Sequence, residues 1–202
     1  MNAYIHSEIS VKKRGGTIED YYAIHDFMDS TKELCSDNRH RILHTHWGIK
    51  QVIIPVFGHT LINSDGKTVN IKDLCEQDHI LPDYHNRFIP TLADFVEAIS
   101  PQENDLERFQ KFFKSYKENS ELTRLLLSPL SYTGQAKSLL ITHNSWFINH
   151  IIPLIFNTLP NLKEFTIAPS ELFNRMSFKL WMDNGSAYPE SAKNLQKLKK
   201  TA

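Results

Sequence analysis

The stretch TIEDYYAIHDFMDSTKELCSDNRHRILHTHWG, residues 17–48, predicts two consecutive helices joined by a short link. The first helix is expected over residues 18–34, because a threonine suited to capping a helix precedes a run with helical spacing. Ser36 or Asp37 can cap a second helix over residues 38–53. A short link makes two helices antiparallel neighbours, so their facing side chains are expected to meet.

The remainder of the chain also favours helices, with one exception. Short β-rich runs at residues 59–62 and 67–71 flank the turn Asn63–Gly66, a pattern typical of a β-hairpin. Apolar residues at helical spacing predict further helices over residues 72–81, 92–99, 103–118, 121–127, 136–159 and 169–182. The predicted fold is mainly α, a helical bundle with one small β-hairpin and a second helical subdomain.

The two halves of the chain differ in charge. Residues 1–100 hold 10 Lys and Arg against 14 Asp and Glu, which gives −4, and residues 101–202 hold 13 against 9, which gives +4. We therefore predict a His-rich helical domain with the hairpin over 1–100 and a helical region over 101–202, divided near Pro101. The formal net charge of the whole chain is zero, so nucleic acid is an unlikely partner.

Compartment signals are few. The N-terminal residues lack the apolar segment of a secretory signal, and two cysteines in 202 residues indicate no disulfide framework. The most apolar run, residues 139–159, contains polar residues such as His143, Asn149 and Pro153, which disfavour a membrane span. The expected setting is cytoplasmic, without a membrane partner.

Eight of the ten histidines precede residue 86, and three i, i+4 pairs stand out among them. Positions four apart project from one face of an α-helix and can chelate one ion. Imidazole and carboxylate ligands suit a divalent metal such as Zn, Mn, Fe or Ni. Each pair alone is more typical of a surface or hydrogen-bonded pair. The predicted metal ligands are His25 and Asp29, His40 and His44, and His79 and Asp83.

Other polar residues nearby suggest further roles. Asp26 and Glu76 are candidates for catalytic acid–base work or for orienting ligands, and Lys32 and Arg41 for binding an anionic substrate group. The histidines that fall off the paired faces are expected in solvent or in core hydrogen bonds: His46, His59 and His85.

The first hundred residues resemble a small, uncharacterised domain found in bacteria and their phages. The matching pieces are VKKRGGTIEDYYAIHDFMDSTK (residues 11–32), RHRILHTHWGI (39–49), FGHTLINSDGKTV (57–69), EQDHILPD (76–83) and IPTLADFVEAI (89–99). The resemblance implies that its pattern falls on His25, His40, Arg41, His44, Asn63–Gly66, Glu76, Gln77 and His79. This sequence differs from that pattern in having Asp78 between Gln77 and His79. The resemblance implies no activity, and a bacterial or phage-infected host cell as the setting.

The dipeptide His25-Asp26 is also similar to the paired residues of metal-dependent phosphohydrolases with an HD motif. That family needs an earlier ligand histidine on a separate helix, for which His6 is a poor candidate. The H-x-x-x-H spacing of His40 and His44 is also similar to the three-histidine sites of some four-helix-bundle metalloenzymes, but the rest of their pattern is absent.

Two functions remain open from the sequence. One is a metal-binding protein that acts as a metal-dependent hydrolase on a phosphorylated or nucleotide-like substrate. The alternative is a non-enzymatic phage or bacterial accessory protein that binds a host protein or sequesters a small anionic ligand. The apolar run at residues 139–159 motivates the alternative, because exposed apolar surface marks interfaces. A homo-oligomer is compatible with either.

Overall fold

The computed structural model describes residues 1–116, 120–157 and 167–201. The chain forms two compact units, the first from Met1–Asp94 with the segment that begins at Phe178, and the second from Phe95–Ser177. The division near residue 100, which was predicted from charge, remains a prediction. The return of the C-terminal segment to the first unit had no sequence signal. In that segment Trp181 and Met182 are buried.

The first unit is mainly helical with one hairpin, as predicted. Its helices are α1 (Ala3–Arg14), α2 (Glu19–Met28), α3 (residues 46–57) and α4 (residues 71–83), with α5 (Leu92–Glu97) beginning at its edge. Short 3₁₀ helices cover Ser30–Glu33 and Asn38–Leu43. Strands β1 (Thr60–Ile62) and β2 (Thr68–Asn70) pair antiparallel, with Leu61 opposite Val69.

Helix α1 was not predicted, because the residues before Gly15 have weak helical amphipathicity. Its N-terminus is capped by the Asn2 side chain, which accepts from the Ile5 amide. Gly15 and Gly16 then take positive φ angles of 80° and 74°, and this turn leads the chain into α2. Helix α1 packs on α2 and on α4, so it lies against the predicted site.

The predicted helix over residues 38–53 is interrupted near His44. A 3₁₀ helix ends at Leu43, and Thr45 starts α3 by accepting a hydrogen bond from the Gly48 amide at 3.1 Å. A Cβ atom at Gly48 would lie 2.2 Å from the Leu43 carbonyl oxygen, so this close turn requires glycine. The interruption places His44 in a fully buried bend.

Helix α4 continues two residues past the end of the helix predicted over residues 72–81. Its middle, Cys75–Ile80, is a π-helix, which holds more residues per turn than an α-helix. Pro82 follows in the first turn of the terminal α-helical segment, a position that tolerates a missing N–H. The π-helical turn includes Asp78, the residue by which this sequence differs from the family pattern, and it leaves both Asp78 and His79 buried.

The second unit is helical. It contains α6 (Asp105–Ser115), α7 (Glu121–Thr133), a 3₁₀ helix (Ala136–Ile141), α8 (residues 147–156) and α9 (Pro169–Arg175). The single helix predicted over 136–159 is broken, because Asn144 bonds the Leu140 carbonyl and caps the Phe147 amide. Residues 117–118 and 158–159 of the predicted helices lie outside the described residues. A 3₁₀ helix over Leu180–Met182 and helix α10 (Lys193–Thr201) complete the first unit.

The apolar run of the second unit is largely core. Leu139, Leu140, Phe147 and Ile152 are each at most 1% exposed. Across the described ranges, no helix combines the length and the apolar character that crossing a bilayer requires. Within the described residues, most of the run therefore packs inside its own unit, while Leu154 is 56% exposed.

His143 supplies a pH-dependent stability to the second unit. Its Nδ1 donates to the Leu139 carbonyl at 2.9 Å, its Nε2 accepts from the Tyr116 hydroxyl at 2.7 Å, and burial lowers its pKa from 6.5 to about 4. In the unfolded chain His143 binds a proton below about pH 6.5, whereas in the folded chain it stays neutral down to about pH 4. Stability is therefore expected to fall by about 2 kcal/mol between about pH 7 and pH 5.

Urea unfolding at these two pH values checks this prediction. The variant His143→Gln should show a fall in stability about 2 kcal/mol smaller than that of the wild type between these pH values, whereas His150→Gln, at an exposed position in the same unit, should keep the wild-type fall. Equal pH slopes in all three proteins would contradict it.

Candidate metal centre

Four buried side chains from three segments converge in the first unit. Asp29 follows the end of α2, His44 lies in the bend before α3, and His79 and Asp83 belong to α4. One possible ligand atom from each lies within 4.8 Å of the corresponding atoms of the others. The group has the size and donor chemistry of a metal site.

His44 lies between the two carboxylates. Its Nδ1 is 3.3 Å from Asp83 Oδ2, and its Nε2 is 3.5 Å from Asp29 Oδ1. The same Nε2 lies 3.3 Å from the Met28 carbonyl oxygen, to which it can donate. His44 therefore holds the two acidic residues on either side of one imidazole ring.

His79 faces the same carboxylates from α4. Its Nε2 is 3.7 Å from Asp29 Oδ1 and 4.0 Å from Asp83 Oδ2. His79 and Asp83 are four residues apart, as the sequence predicted. Here the intervening residues include the end of a π-helix, so the convergence does not depend on ideal α-helical spacing.

Two more histidines lie at the edges of the group. His40 Nε2 is 4.0 Å from Asp29 Oδ1, and His6 Nε2 is 3.3 Å from Asp83 Oδ1. The His6 ring stacks on that of His79 with centroids 3.8 Å apart. His6 was judged a poor candidate for the early ligand of an HD-type site, and the structure shows that α1 brings it against Asp83.

Backbone carbonyls fix the outer nitrogens of these edge histidines. His40 Nδ1 donates to the Asp37 carbonyl at 2.5 Å, and His6 Nδ1 donates to the Asp78 carbonyl at 2.9 Å. A neutral imidazole that donates from one nitrogen carries a lone pair on the other. In the neutral form of either residue, that lone pair would be on the nitrogen turned toward an aspartate, which is the arrangement of metal-binding histidines.

The inward atoms of the group lack hydrogen bonds. Each such buried polar atom costs about 1–3 kcal/mol when it has no partner. A cation among them would offset this cost, because it interacts favourably with every lone pair at once. Within the described residues, the buried atoms without a hydrogen-bond partner include His6 Nε2, Asp29 Oδ1, His40 Nε2, His44 Nδ1, His79 Nε2 and Asp83 Oδ2.

The protonation of the group is asymmetric. Burial alone would raise the pKa values of Asp29 and Asp83, but the neighbouring imidazoles together, His44 first among them, outweigh burial and lower both pKa values far below their usual range. Burial opposes charge on His44, yet the two carboxylates raise its pKa. Burial lowers the pKa of His79 well below 6.5 and that of His40 to about 4. The metal-free group is thus two carboxylates bridged by one imidazolium, beside neutral histidines.

The two cations predicted to bind substrate bind the carboxylates instead. Lys32 Nζ lies 2.5 Å from Asp29 Oδ2, and Arg41 Nη2 lies 3.4 Å from Asp83 Oδ2. Arg41 is 3% exposed and also donates to Asn184 Oδ1. Both cations compensate acidic charge at the group; Arg41 is buried, whereas the Lys32 side chain is 40% exposed.

The structure does not bring the predicted catalytic residues into the group. Asp26 is exposed, because α2 turns it away from the buried His25 beside it. Glu76 binds Lys72 Nζ at 2.8 Å and His46 Nδ1 at 2.9 Å. The histidines expected outside the site are exposed: His46, His59 and His85.

His25 lies beside the group. Its Nδ1 contacts His79 Nδ1 at 3.0 Å, on the side of the His79 ring away from the carboxylates. Its Nε2 contacts the Ser10 hydroxyl at 2.9 Å, and burial lowers its pKa to about 3. His25 was predicted as a ligand, and both of its nitrogens are occupied by protein partners.

An open cavity of about 390 Å³ reaches the group at Asp83. Its other lining residues are Met1, Pro82, His85 and Asn184. The Met1 backbone nitrogen lies 2.8 Å from Asp83 Oδ1 at this side. The cavity gives a small molecule a path to a residue of the buried group.

The turn Asn63–Gly66 of the family pattern has a structural role. Asn63 Nδ2 donates to the Tyr21 hydroxyl oxygen, and Ser64 donates to Asp20 Oδ2 at 2.6 Å. Gly16 donates to Asp65 Oδ2. These bonds attach the hairpin to the connection between α1 and α2 rather than to the His and Asp group.

These features define a helical domain with a buried cluster of histidines and aspartates. Residues 1–104 match the family described as "Domain of unknown function (DUF6915)", and the chain belongs to this family. The match confirms the resemblance of the N-terminal half to an uncharacterised domain family. No curated protein and no solved structure matches the chain.

Proposed function

We propose that the protein binds one divalent metal ion through Asp29, His44, His79 and Asp83, with His40 available beside Asp29. The carrying observation is the set of buried donor atoms that face one another within 4.8 Å and lack hydrogen-bond partners among the described residues. Two imidazoles and two carboxylates suit Zn, Mn, Fe or Ni, and the absence of a thiolate from this set disfavours a structural zinc site of the cysteine type.

The position of His44 also supports a bound ion. In the metal-free group the His44 imidazolium lies between the two carboxylates, and a divalent ion would take over that role. His44 must give up its proton to become a ligand, so binding should release protons and weaken at acidic pH. Lys32 contacts the outer oxygen of Asp29, Oδ2, and Arg41 lies 3.4 Å from Asp83 Oδ2, so both cations help to fix the orientation of these carboxylates.

A hydrolytic role is the chemistry that we propose for this centre. A divalent ion of this kind activates water and polarises a phosphoryl or carbonyl oxygen. The cavity at Asp83 supports the proposal, since it gives a substrate access to the group. A phosphorylated or nucleotide-like substrate remains the proposed class.

Elemental analysis tests the metal proposal. Protein purified without a His-tag or chelating resin is expected to contain close to one equivalent of a divalent metal, because two imidazoles and two carboxylates converge. The variant His44→Ala removes the central imidazole and should lose most of this metal.

The matched control is His46→Ala, two residues away. The His46 side chain is 49% exposed and is bound to Glu76. It should retain the wild-type metal content. Metal loss in both variants, or in neither, would contradict the assignment of ligands.

A further inference from the structure

A chain of buried polar side chains runs from the proposed centre through three helices. His79 Nδ1 on α4 contacts His25 Nδ1 on α2 at 3.0 Å. His25 Nε2 contacts Ser10 Oγ on α1 at 2.9 Å, and Ser10 Oγ lies 3.2 Å from Asp78 Oδ2, back on α4. All four residues are fully buried. This series of contacts begins at His79 Nδ1, on the side of the ring that the proposed metal ion does not use.

The hydroxyl of Ser10 sets the direction of these hydrogen bonds. It has a single proton, and two oxygens lie at 3.2 Å, Asp78 Oδ2 and the His6 carbonyl. Neither a carboxylate nor a carbonyl oxygen can donate. Donation from Ser10 to one of these oxygens, with acceptance from His25, satisfies all of these contacts at once and places the proton of His25 on Nε2.

The position of the proton on His25 then fixes the position of the proton on His79. A neutral imidazole with its proton on Nε2 has a lone pair on Nδ1. His25 Nδ1 therefore accepts from His79 Nδ1, which must carry the proton. The remaining nitrogen of His79, Nε2, then keeps its lone pair and faces Asp29 and Asp83. This is the tautomer in which His79 can be a ligand.

We propose that Ser10, His25 and Asp78 form a positioning relay that holds His79 in the tautomer able to bind a metal ion through Nε2. The inference rests on the proposed metal function and deepens it. It assigns His25 to orienting a ligand rather than to binding the ion. His6, His40 and His44 are instead oriented by backbone carbonyls, so His79 is the imidazole of the group whose tautomer depends on other side chains.

Two cations anchor the far end of the relay. Arg14 Nε lies 2.5 Å from Asp78 Oδ2, and Lys13 Nζ lies 3.1 Å from Asp78 Oδ1. Arg14 also donates to the Asp73 carbonyl on α4. These contacts hold Asp78 as an acceptor and attach α1 to α4. The relay thus couples the orientation of His79 to the packing of α1.

The test compares Ser10→Ala with Ser7→Ala. Both serines are fully buried on α1, but Ser7 Oγ donates to the Ala3 carbonyl at 2.8 Å within its own helix. Without the Ser10 hydroxyl, His25 is free to move its proton to Nδ1, and His79 then carries its proton on the ligand nitrogen. The Zn²⁺ affinity of Ser10→Ala is expected to fall by about tenfold or more, while that of Ser7→Ala stays within about twofold.

A second measurement needs no bound metal, and its decisive outcome needs the wild-type protein alone. Nitrogen-15 spectra of metal-free wild-type protein labelled at histidine report which ring nitrogen of His79 carries the proton. Protonated Nδ1 in the wild type and in Ser7→Ala, with a mixture of tautomers in Ser10→Ala, is the expected result. Protonated Nε2 in the wild type would overturn the relay, even if Ser10→Ala did not fold.

The two proposals fail separately. Wild-type protein that binds none of Zn²⁺, Mn²⁺, Fe²⁺ and Ni²⁺ by calorimetry would overturn the metal function, while the metal-free spectra would still decide the direction of the relay. Wild-type protein that binds Zn²⁺, with equal affinities in Ser10→Ala and Ser7→Ala, would overturn the relay and leave the metal centre in place.

Discussion

Replacing Asp83 with alanine is expected to abolish metal binding and to destabilise the first unit by about 3–5 kcal/mol. Asp83 is 3% exposed, and its carboxylate lies within 3.4 Å of atoms of Arg41, His44 and His6. Its removal leaves the guanidinium of Arg41 buried without its carboxylate partner. The cost is that of an uncompensated buried charge, which exceeds the loss of a surface ion pair.

Urea unfolding in the presence of a chelator measures this effect without any contribution from metal. Asp83→Asn keeps the size of the side chain and removes its charge, so it separates electrostatic loss from cavity formation. It should also lose metal. Asp26→Ala, at an exposed position of α2, is the control and should stay within about 0.5 kcal/mol of wild type. Wild-type stability and metal content in Asp83→Ala would contradict the assignment of Asp83 as a buried ligand.

Zn²⁺ is expected to stabilise the first unit by about 4 kcal/mol at a free concentration a thousand times its Kd. The reason is that the ligands come from α2, the bend before α3, and α4, and they converge only when these segments are packed. A ligand that binds the folded state alone shifts the unfolding equilibrium by mass action. Amide hydrogen exchange in α2 and α4 should slow by up to about a thousandfold for amides that exchange through unfolding of the unit.

The second unit provides an internal control for this experiment. Peptides from α7, Glu121–Thr133, contain none of the proposed ligands, and their protection should change much less. The variant His44→Ala should remove the Zn²⁺-dependent protection of α2 and α4. Unchanged exchange throughout the wild-type chain at saturating Zn²⁺ would count against a site built by folding, as would equal slowing in His44→Ala.

The three i, i+4 pairs show how much of the metal site local spacing can predict. The sequence correctly selected Asp29, His44, His79 and Asp83 as neighbours, although the helical geometry behind two of the pairs was different. His40 lies in a 3₁₀ helix and His44 beyond its end, and a π-helical turn holds His79. Four-residue separation kept these residues close in each case, whereas the direction of each side chain depended on local bends.

The residues that the sequence analysis missed or placed differently act through contacts between distant segments. His6 meets Asp83 from 77 positions away, and Ser10 meets Asp78 from 68. Asp26 and Glu76 were chosen for their proximity in sequence, but helix rotation leaves Asp26 exposed and Glu76 binds His46. A signal for His6 existed in the comparison with HD-type sites, which call for an early histidine on a separate helix.

By itself, the sequence determined the helical class, the hairpin between Thr60 and Asn70, and the supply of imidazoles and carboxylates in the first hundred residues. These features follow from periodicity, turn chemistry and composition, which act over a few residues. Tertiary structure decided which nitrogen of each ring faces the aspartates, that Arg41 and Lys32 serve those aspartates, and that α1 and the C-terminal segment complete the first unit. Such contacts join residues far apart in the chain, and packing between helices sets them rather than local spacing.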